Sequence, residues 1–490
     1  MTGLTDFTDW LSPMLVKELR QGVRSRIFVS TLLLLQGSLV LLTIIGLVAS
    51  DAQQDSEGVS AFFWILTAVF LILFLPLSGL NAVSSERTAN TLELIFLTRL
   101  SSRRIVAGKW LAIVAQIVLL VFTILPYIML RYFLGGVDLW WELLMVGGML
   151  LVSAALSAIT VGLSPLPAIV TRIVFVFGMF VCLYLLVAAI AIMAMGRGGM
   201  MGLYSPAASK NGFAAVLLII FVVLLMLEYG AARIAPSAEN HSSPLRLIGL
   251  AAIAAGIILD HALFRSRSDG TFAALYFTLP ILIGSLCEAP RAIVNVYRPF
   301  VRRGFFGKAA GRILYPGWPS ATPYALVVLS ALGLELYYQG AVQRRADNLL
   351  LVVSIAGALL FPAAVIRFFG KRLRRPLGMY FGAQAILVLL YSLASVLADF
   401  KALDFHPVLD VIPTCALVSI ITGNATGSDE DPLLHLPLVG SVTALGVIML
   451  LWQSRRAWRE IQALEKKAEL MKDDPGTPAP AAGAASPAVE

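Results

Sequence analysis

Twelve stretches of this 490-residue chain are apolar over about the 20 residues, at about 1.5 Å each, that a helix needs to cross a bilayer. They fall at 27–49, 60–80, 111–134, 142–163, 173–195 and 213–230, then at 246–264, 271–287, 323–338, 348–366, 377–398 and 433–452. Inside hydrocarbon no water can satisfy a backbone N–H or C=O, so such runs must form helices. The expected fold is therefore an all-α polytopic membrane protein of about 12 transmembrane helices. Composition agrees: hydrophobic residues make up 59% and charged residues 13%, against about 25% charged in a soluble domain. The run 408–421 is too short to cross, and Pro407 and Pro413 near its start suggest a re-entrant or interfacial segment. The first run is longer than the apolar part of a signal peptide and is expected to remain as the first span.

Basic residues orient the spans. With both termini placed in the cytoplasm, 29 Lys and Arg fall on inner segments and 8 on outer ones, the full 37. A thirteenth span at 408–421 would put the basic tail (Arg455, Arg456, Arg459, Lys466, Lys467) outside. Two outer loops run against the trend, with Arg265 and Arg267 in one and Arg344 and Arg345 in the other. Asp260, Asp269 and Asp347 lie close enough in sequence to neutralise them. The net charge of +8 has the same origin, inner-loop cations, and nucleic acid is not an expected partner.

The spans divide into two sets of six. Residues 27–232 form the first and 233–452 the second, each with a long basic inner loop after its second helix, at 81–110 and at 288–322. Because six is even, both sets enter the membrane in the same sense, as parallel repeats do. Glu288 holds the place of Glu86 in this scheme. The alternative is a coincidence of hydropathy. Beyond the last span, 453–472 alternates charge at helical spacing and reads as a solvated cytoplasmic helix, and 473–490 reads as a disordered tail.

No catalytic constellation is visible. A GxxxxGK[ST] phosphate loop is missing, so no ATP hydrolysis of its own is expected. The three cysteines and four histidines are scattered without ligand spacing, and no metal or cofactor is called for. Charges near span ends (Asp260, Glu228, Glu335, Arg131, Arg172) read as interface residues that snorkel.

The segment Ser85 to Lys109, SERTANTLELIFLTRLSSRRIVAGK, differs from an ordinary basic loop in its order of residues. Leu92, Leu94, Ile95 and Leu97 give a short helix an apolar face, and Glu86 and Glu93 are available to arginines of the loop or of a partner. The series Glu86, Arg87, Thr91, Leu92, Glu93, Thr98, Leu100, Ser101, Arg103, Gly108, Lys109 resembles the loop between the second and third spans of permeases of the ABC type-2 transporter family. Those permeases commonly carry E-R-E-x-G-T-L-E, then a T-P-L-S-R-like turn and a G-K. Here Thr88 stands for the second acid, Asn90 for the glycine and Arg99 for the proline. Residues 1–26, with Phe7, Trp10, Leu11, Met14, Leu15 and Leu19 against Lys17, Arg20, Arg24 and Arg26, form an amphipathic segment suited to the membrane interface. Lys17-Glu18-Leu19-Arg20 followed by Arg24 resembles the elbow helix before the first span of the same family. The plainer reading is a topogenic flank.

The resemblance covers residues 1 to about 232. It implies the membrane-spanning subunit of an ATP-driven exporter in a bacterial inner membrane, with Glu86, Arg87, Thr91, Leu92, Glu93, Arg103 and Lys109 in an ATPase-coupling loop. It implies cytosolic ABC ATPase subunits, membrane lipid and a transported substrate as partners, with ATP bound by the partner. Two alternatives stand beside it: a twelve-span secondary transporter, and a non-transporting membrane anchor.

Overall fold

In the computed structural model the described residues are 13–51, 56–84, 86, 101–134, 138–166, 206–236, 239–264, 269–290, 293–339, 345–369, 376–399, 409–422 and 432–470. All regular elements among them are helical. Eleven helices are long and apolar enough to cross a membrane, which makes this an all-α polytopic membrane protein. Each coincides with one of the runs expected from sequence; the remaining run, 173–195, lies outside the described residues, as do residues 1–12 and 471–490. Packing separates the chain into two compact units, one of residues 1–237 with 262–264, the other of residues 238–261 with 265–490.

The first unit contains α1 (Pro13–Val23), α2 (Arg26–Asp51), α3 (Ser56–Ala68), α4 (Ser102–Leu134), α5 (Leu139–Leu163) and α6 (Pro206–Ile234). Beyond Ala68 the α3 rod continues through a π-helical stretch, Val69–Phe74, and a 3-10 turn, Ser78–Asn81. Pro76 lies just after the π stretch; its ring crowds the preceding turn and its nitrogen has no N–H to donate there, which suits a widened turn. The core joins Leu35 and Leu39 of α2 and Phe63 and Leu71 of the α3 rod to Ile117, Leu120 and Ile124 of α4. Phe28, Val146 and Val161 complete it. The outward positions Leu33, Leu34, Leu41, Ile44 and Val48 of α2 are exposed, as lipid-facing side chains must be.

Water exclusion does not hold helices together inside lipid, so close backbone approach takes over. At the crossing of α5 and α6 a Cβ on Gly162 would stand 2.3 Å from the Met226 carbonyl oxygen, and one on Gly230 would stand 2.9 Å from the Gly162 Cα. Hydroxyl and amide side chains cross-link the remaining helices. The Ser153 hydroxyl donates to the Leu71 carbonyl at 2.6 Å, Gln36 donates to Thr123 Oγ1 at 2.7 Å, and Trp110 Nε1 donates to the Ala154 carbonyl at 2.9 Å.

The second unit contains α7 (Ser242–Leu259), α8 (Asp269–Cys287), α9 (Val294–Val301), α10 (Gly304–Leu314), α11 (Trp318–Gln339), α12 (Arg345–Phe369), α13 (Pro376–Asp399), α14 (Pro413–Thr422) and α15 (Pro432–Leu470). Helix α12 is central, with 61% of its span buried against 17% for α13. It packs on α15 where Gly357 faces Thr443 and Gly446 faces Phe361. The Gln453 side chain donates to the Ala364 carbonyl at 3.2 Å, and Arg367 donates to the Leu286 carbonyl. The ten residues of α14 rise about 15 Å, half of a ~30 Å hydrocarbon layer, and lie against α12 and α13 with Pro413, Thr414, Cys415 and Ala416 buried. At this length the described helix is shorter than a span.

Three expectations are corrected. Asp260 is not a snorkelling side chain: it is fully buried, and its carboxylate accepts from the backbone N–H of Gly270 at 2.7 Å and of Thr271 at 2.8 Å, while Arg265 and Arg267 lie outside the described residues. It caps α8, because the first N–H groups of a helix need an acceptor that lipid cannot supply. Nor is Glu228 a snorkelling side chain, since it is buried on α6 with an arginine partner. Third, 453–472 is not solvated all round. α15 runs unbroken to Leu470, and Ile461, Glu465 and Ala468 are buried there. Ile461 joins Val296, Tyr297 and Tyr315 in a cluster flanked by Trp458 and Leu464. Burial, with Glu465 nearby, pushes the Tyr297 phenol up to about 12 and the Tyr315 phenol higher still, so both are neutral there.

Valine at Gly162 is expected to destabilise the detergent-solubilised chain by about 1–3 kcal/mol, the usual range for overpacking a close contact. Valine at Gly147, where nothing lies within 4 Å of a built Cβ, should leave the melting temperature unchanged. Equal melts for the two variants would remove the close-approach account of the α5–α6 crossing.

Candidate functional site

The site begins with an amphipathic helix and a charge at the head of a span. On α1, Lys17, Arg20 and Arg24 are exposed, while Glu18 turns inward. Gly22 lets α1 lie against α4: a Cβ there would meet the Gln116 side-chain nitrogen at 2.2 Å. This contact sets Glu18 beside Lys109, two turns into α4.

Lys109 is buried at 4% exposure and is the centre of a three-way ion pair. Its Nζ lies 3.1 Å from Glu18 Oε1 and 2.8 Å from Glu86 Oε1, and both carboxylates are largely shielded. Taking a cation this far out of water is costly unless anions stand close to it, and here two do. The chain just before Glu86 is held as well: Ser164, at the end of α5, accepts on its hydroxyl oxygen from the N–H of Val83 at 3.0 Å and of Ser84 at 3.2 Å.

The far side of the 87–100 segment is anchored separately. Arg103, in the first turn of α4, grips Glu228 of α6 with a forked contact, Nε to Oε2 at 2.8 Å and Nη2 to Oε1 at 2.9 Å. Such a fork fixes orientation as well as distance. The segment 87–100 thus leaves from one ion-pair cluster and returns into another, and the two clusters tie together α1, α4 and α6.

Of the residues singled out from sequence, Glu18, Glu86 and Lys109 converge on one point. Arg103 makes its own pair, Lys17 is exposed, and Arg20 and Arg24 face outward with Leu19 and Val23 around a shallow open depression. Arg87, Thr91, Leu92 and Glu93 lie outside the described residues.

Sequence reasoning missed two further polar constellations. Arg246, fully buried on α7, donates to the carbonyls of Ile313 at 2.9 Å, Tyr315 at 2.6 Å and Gly317 at 2.9 Å. Glu288 stands 3.7 Å from its guanidinium and accepts from the Gly317 N–H at 3.1 Å. The signal was present: a lone arginine at the start of an apolar run, and an acid directly after the next run. In the first unit, Arg131 meets Glu142 at 3.0 Å and lies 4.2 Å over the Phe63 ring. This pair ties the far end of α4 to α5 and α3.

Comparison of the chain with protein-family models, with curated proteins and with solved structures finds no match.

Methionine at Lys109 would strand two shielded carboxylates and is expected to cost about 3–5 kcal/mol, the range for breaking a buried pair from one side. Glu18→Gln leaves Glu86 on the lysine and should cost less. Thermal unfolding in detergent of both variants checks the order; Glu18→Gln as damaging as Lys109→Met would mean that Glu86 adds nothing.

Proposed function

We propose that the chain is the membrane-spanning permease subunit of an ATP-driven exporter of the ABC type-2 kind, with a separate cytosolic ATPase docking on segment 87–100. The observation that carries this reading is the double anchoring of that segment. A partner pushing on it would move α1 through Glu18, α4 through Lys109 and α6 through Glu228, rather than bend a loose loop. Docking requires such stiffness, because a force on an unanchored loop is lost in local rearrangement.

The reading places both termini in the cytoplasm of a bacterial cell, by the excess of basic residues on inner segments. ATP hydrolysis belongs to the partner, since the chain carries no phosphate-binding loop. The second unit is read as a second permease half. In support, Glu288 follows the second span of its unit and pairs with a buried cation, as Glu86 does in the first.

A coupled secondary transporter needs ionisable groups aimed into a cavity. The buried charges described here are instead engaged: Arg131 with Glu142, Arg103 with Glu228, Arg246 with three carbonyls, and Asp260 with the start of α8. This distribution favours the permease.

Co-expression with the candidate ATPase, detergent purification and native mass measurement test the proposal. Two ATPases on one chain are expected, and Glu93→Ala should lower capture at least tenfold while leaving the melt of the permease unchanged. A well-folded chain that captures no ATPase would sink the proposal.

A further inference from the structure

A surface of the second unit has the form of a contact site. Helices α9 and α10 make a hairpin that turns at Arg302, Arg303 and Gly304, where φ is +73°. Gly307, Gly311 and Leu314 form the buried face of α10. A Cβ on Gly307 would meet the Phe300 carbonyl oxygen at 2.2 Å, and one on Gly311 would strike the Tyr315 ring at 2.5 Å. The two phenylalanines of that helix face outward: Phe305 is 80% and Phe306 84% exposed, with ring centroids 5.8 Å apart.

The hairpin is rigid at both ends. Its foot is pinned by the three carbonyl contacts of Arg246. Along its length the tail of α15 braces it, through the Val296–Tyr297–Tyr315–Ile461 cluster, the Lys308–Glu469 pair and the Arg312–Glu465 pair at 3.8 Å. A stiff support that exposes two adjacent phenylalanines leaves them costly in water and useful only against a partner.

Lipid is too far away to be that partner. The apolar run of α15 ends at Trp452, and Gln453 contacts α12 near the end of its span. From Gln453 to Glu469, which pairs with Lys308, a helix rises about 24 Å, or about 18 Å at a 40° tilt. The headgroup layer of one leaflet is only about 5–8 Å deep. A second copy of the chain is disfavoured by charge, since residues 288–322 carry six basic side chains and one acid. Lys308 and Arg312 are engaged by α15, whereas Arg302 and Arg303 are exposed beside the aromatic pair. The complement is an apolar groove with an acidic rim.

We propose that the α9–α10 hairpin is a docking post for a soluble protein whose apolar groove receives Phe305 and Phe306 and whose acidic rim meets Arg302 and Arg303. The residues of the post belong to the second unit, and no step of transport enters the argument.

Incorporation of a benzoyl-phenylalanine crosslinker at Phe306 of the full-length chain, with irradiation in host cells, tests this. One soluble protein is expected in the adduct. Made separately, that protein should bind the detergent-purified chain, at least tenfold more weakly after Phe305→Ala with Phe306→Ala, and likewise after Arg302→Glu with Arg303→Glu. All four side chains are exposed, so these variants should melt as the wild type does; Glu93→Ala should leave binding unchanged. Adducts only with lipid or with a second copy, or none at all, overturn the post. So does binding that survives the double alanine change, or that is lost with Glu93→Ala instead, which would place the partner on segment 87–100.

Discussion

A charged group taken into the membrane is costly unless it finds a partner within the protein, because hydrocarbon offers none. Helical backbones meet the same demand for their polar groups within each span. Side chains meet it at a few fixed points, and those points organise the ends of the helices. Lys109 draws Glu18 and Glu86 together, Arg103 takes Glu228, Arg131 takes Glu142, Arg246 takes the carbonyls of the 313–317 turn, and Asp260 takes the first N–H groups of α8. None of these contacts is worth much as a surface pair. Each is hard to break because the group left behind would be stranded away from water.

Between these fixed points the helices touch through small residues. Gly162 with Gly230, Gly357 with Thr443 and Gly22 with Gln116 bring helices close enough for dispersion to replace the hydrophobic effect, which is weak between helices in lipid. The two kinds of contact divide the work. Glycine contacts set how near two helices lie, and ion pairs set their register. In the first unit this places the start of the 87–100 segment at α1 and α4 and its end at α6, the geometry on which the proposed ATPase docking rests. In the second, Gly307 and Gly311 lie on the buried face of α10, and two phenylalanines face outward at the tip of a braced hairpin.

Much of the fold was legible along the chain. Eleven of the expected spans are helices at the expected places, and the short run near 408–421 holds only the ten-residue helix α14 among the described residues. Less of the site was legible. Glu18, Glu86 and Lys109 stand out only through a family-like order of residues, and their spacing of 68 and 23 positions carries no sign that they meet. Asp260 looked like a snorkelling side chain because its place near a span end is all that a linear reading offers, yet it is buried with its carboxylate turned to Gly270 and Thr271. Residues 453–470 alternate charge as a solvated helix does, and the pairing of Glu465 and Glu469 with α10 hides one face of it.

What the sequence determined by itself was the class of structure, because spanning a bilayer is a demand on each segment separately: enough apolar residues in a row, with the backbone bonded within the helix. What only the tertiary structure decided was which charges meet and which apolar side chains stay exposed. Those outcomes depend on distances between segments far apart in the chain. The physical reason is that a buried charge is stabilised by whichever partner the packing of helices brings within about 3 Å, and no local pattern records that choice.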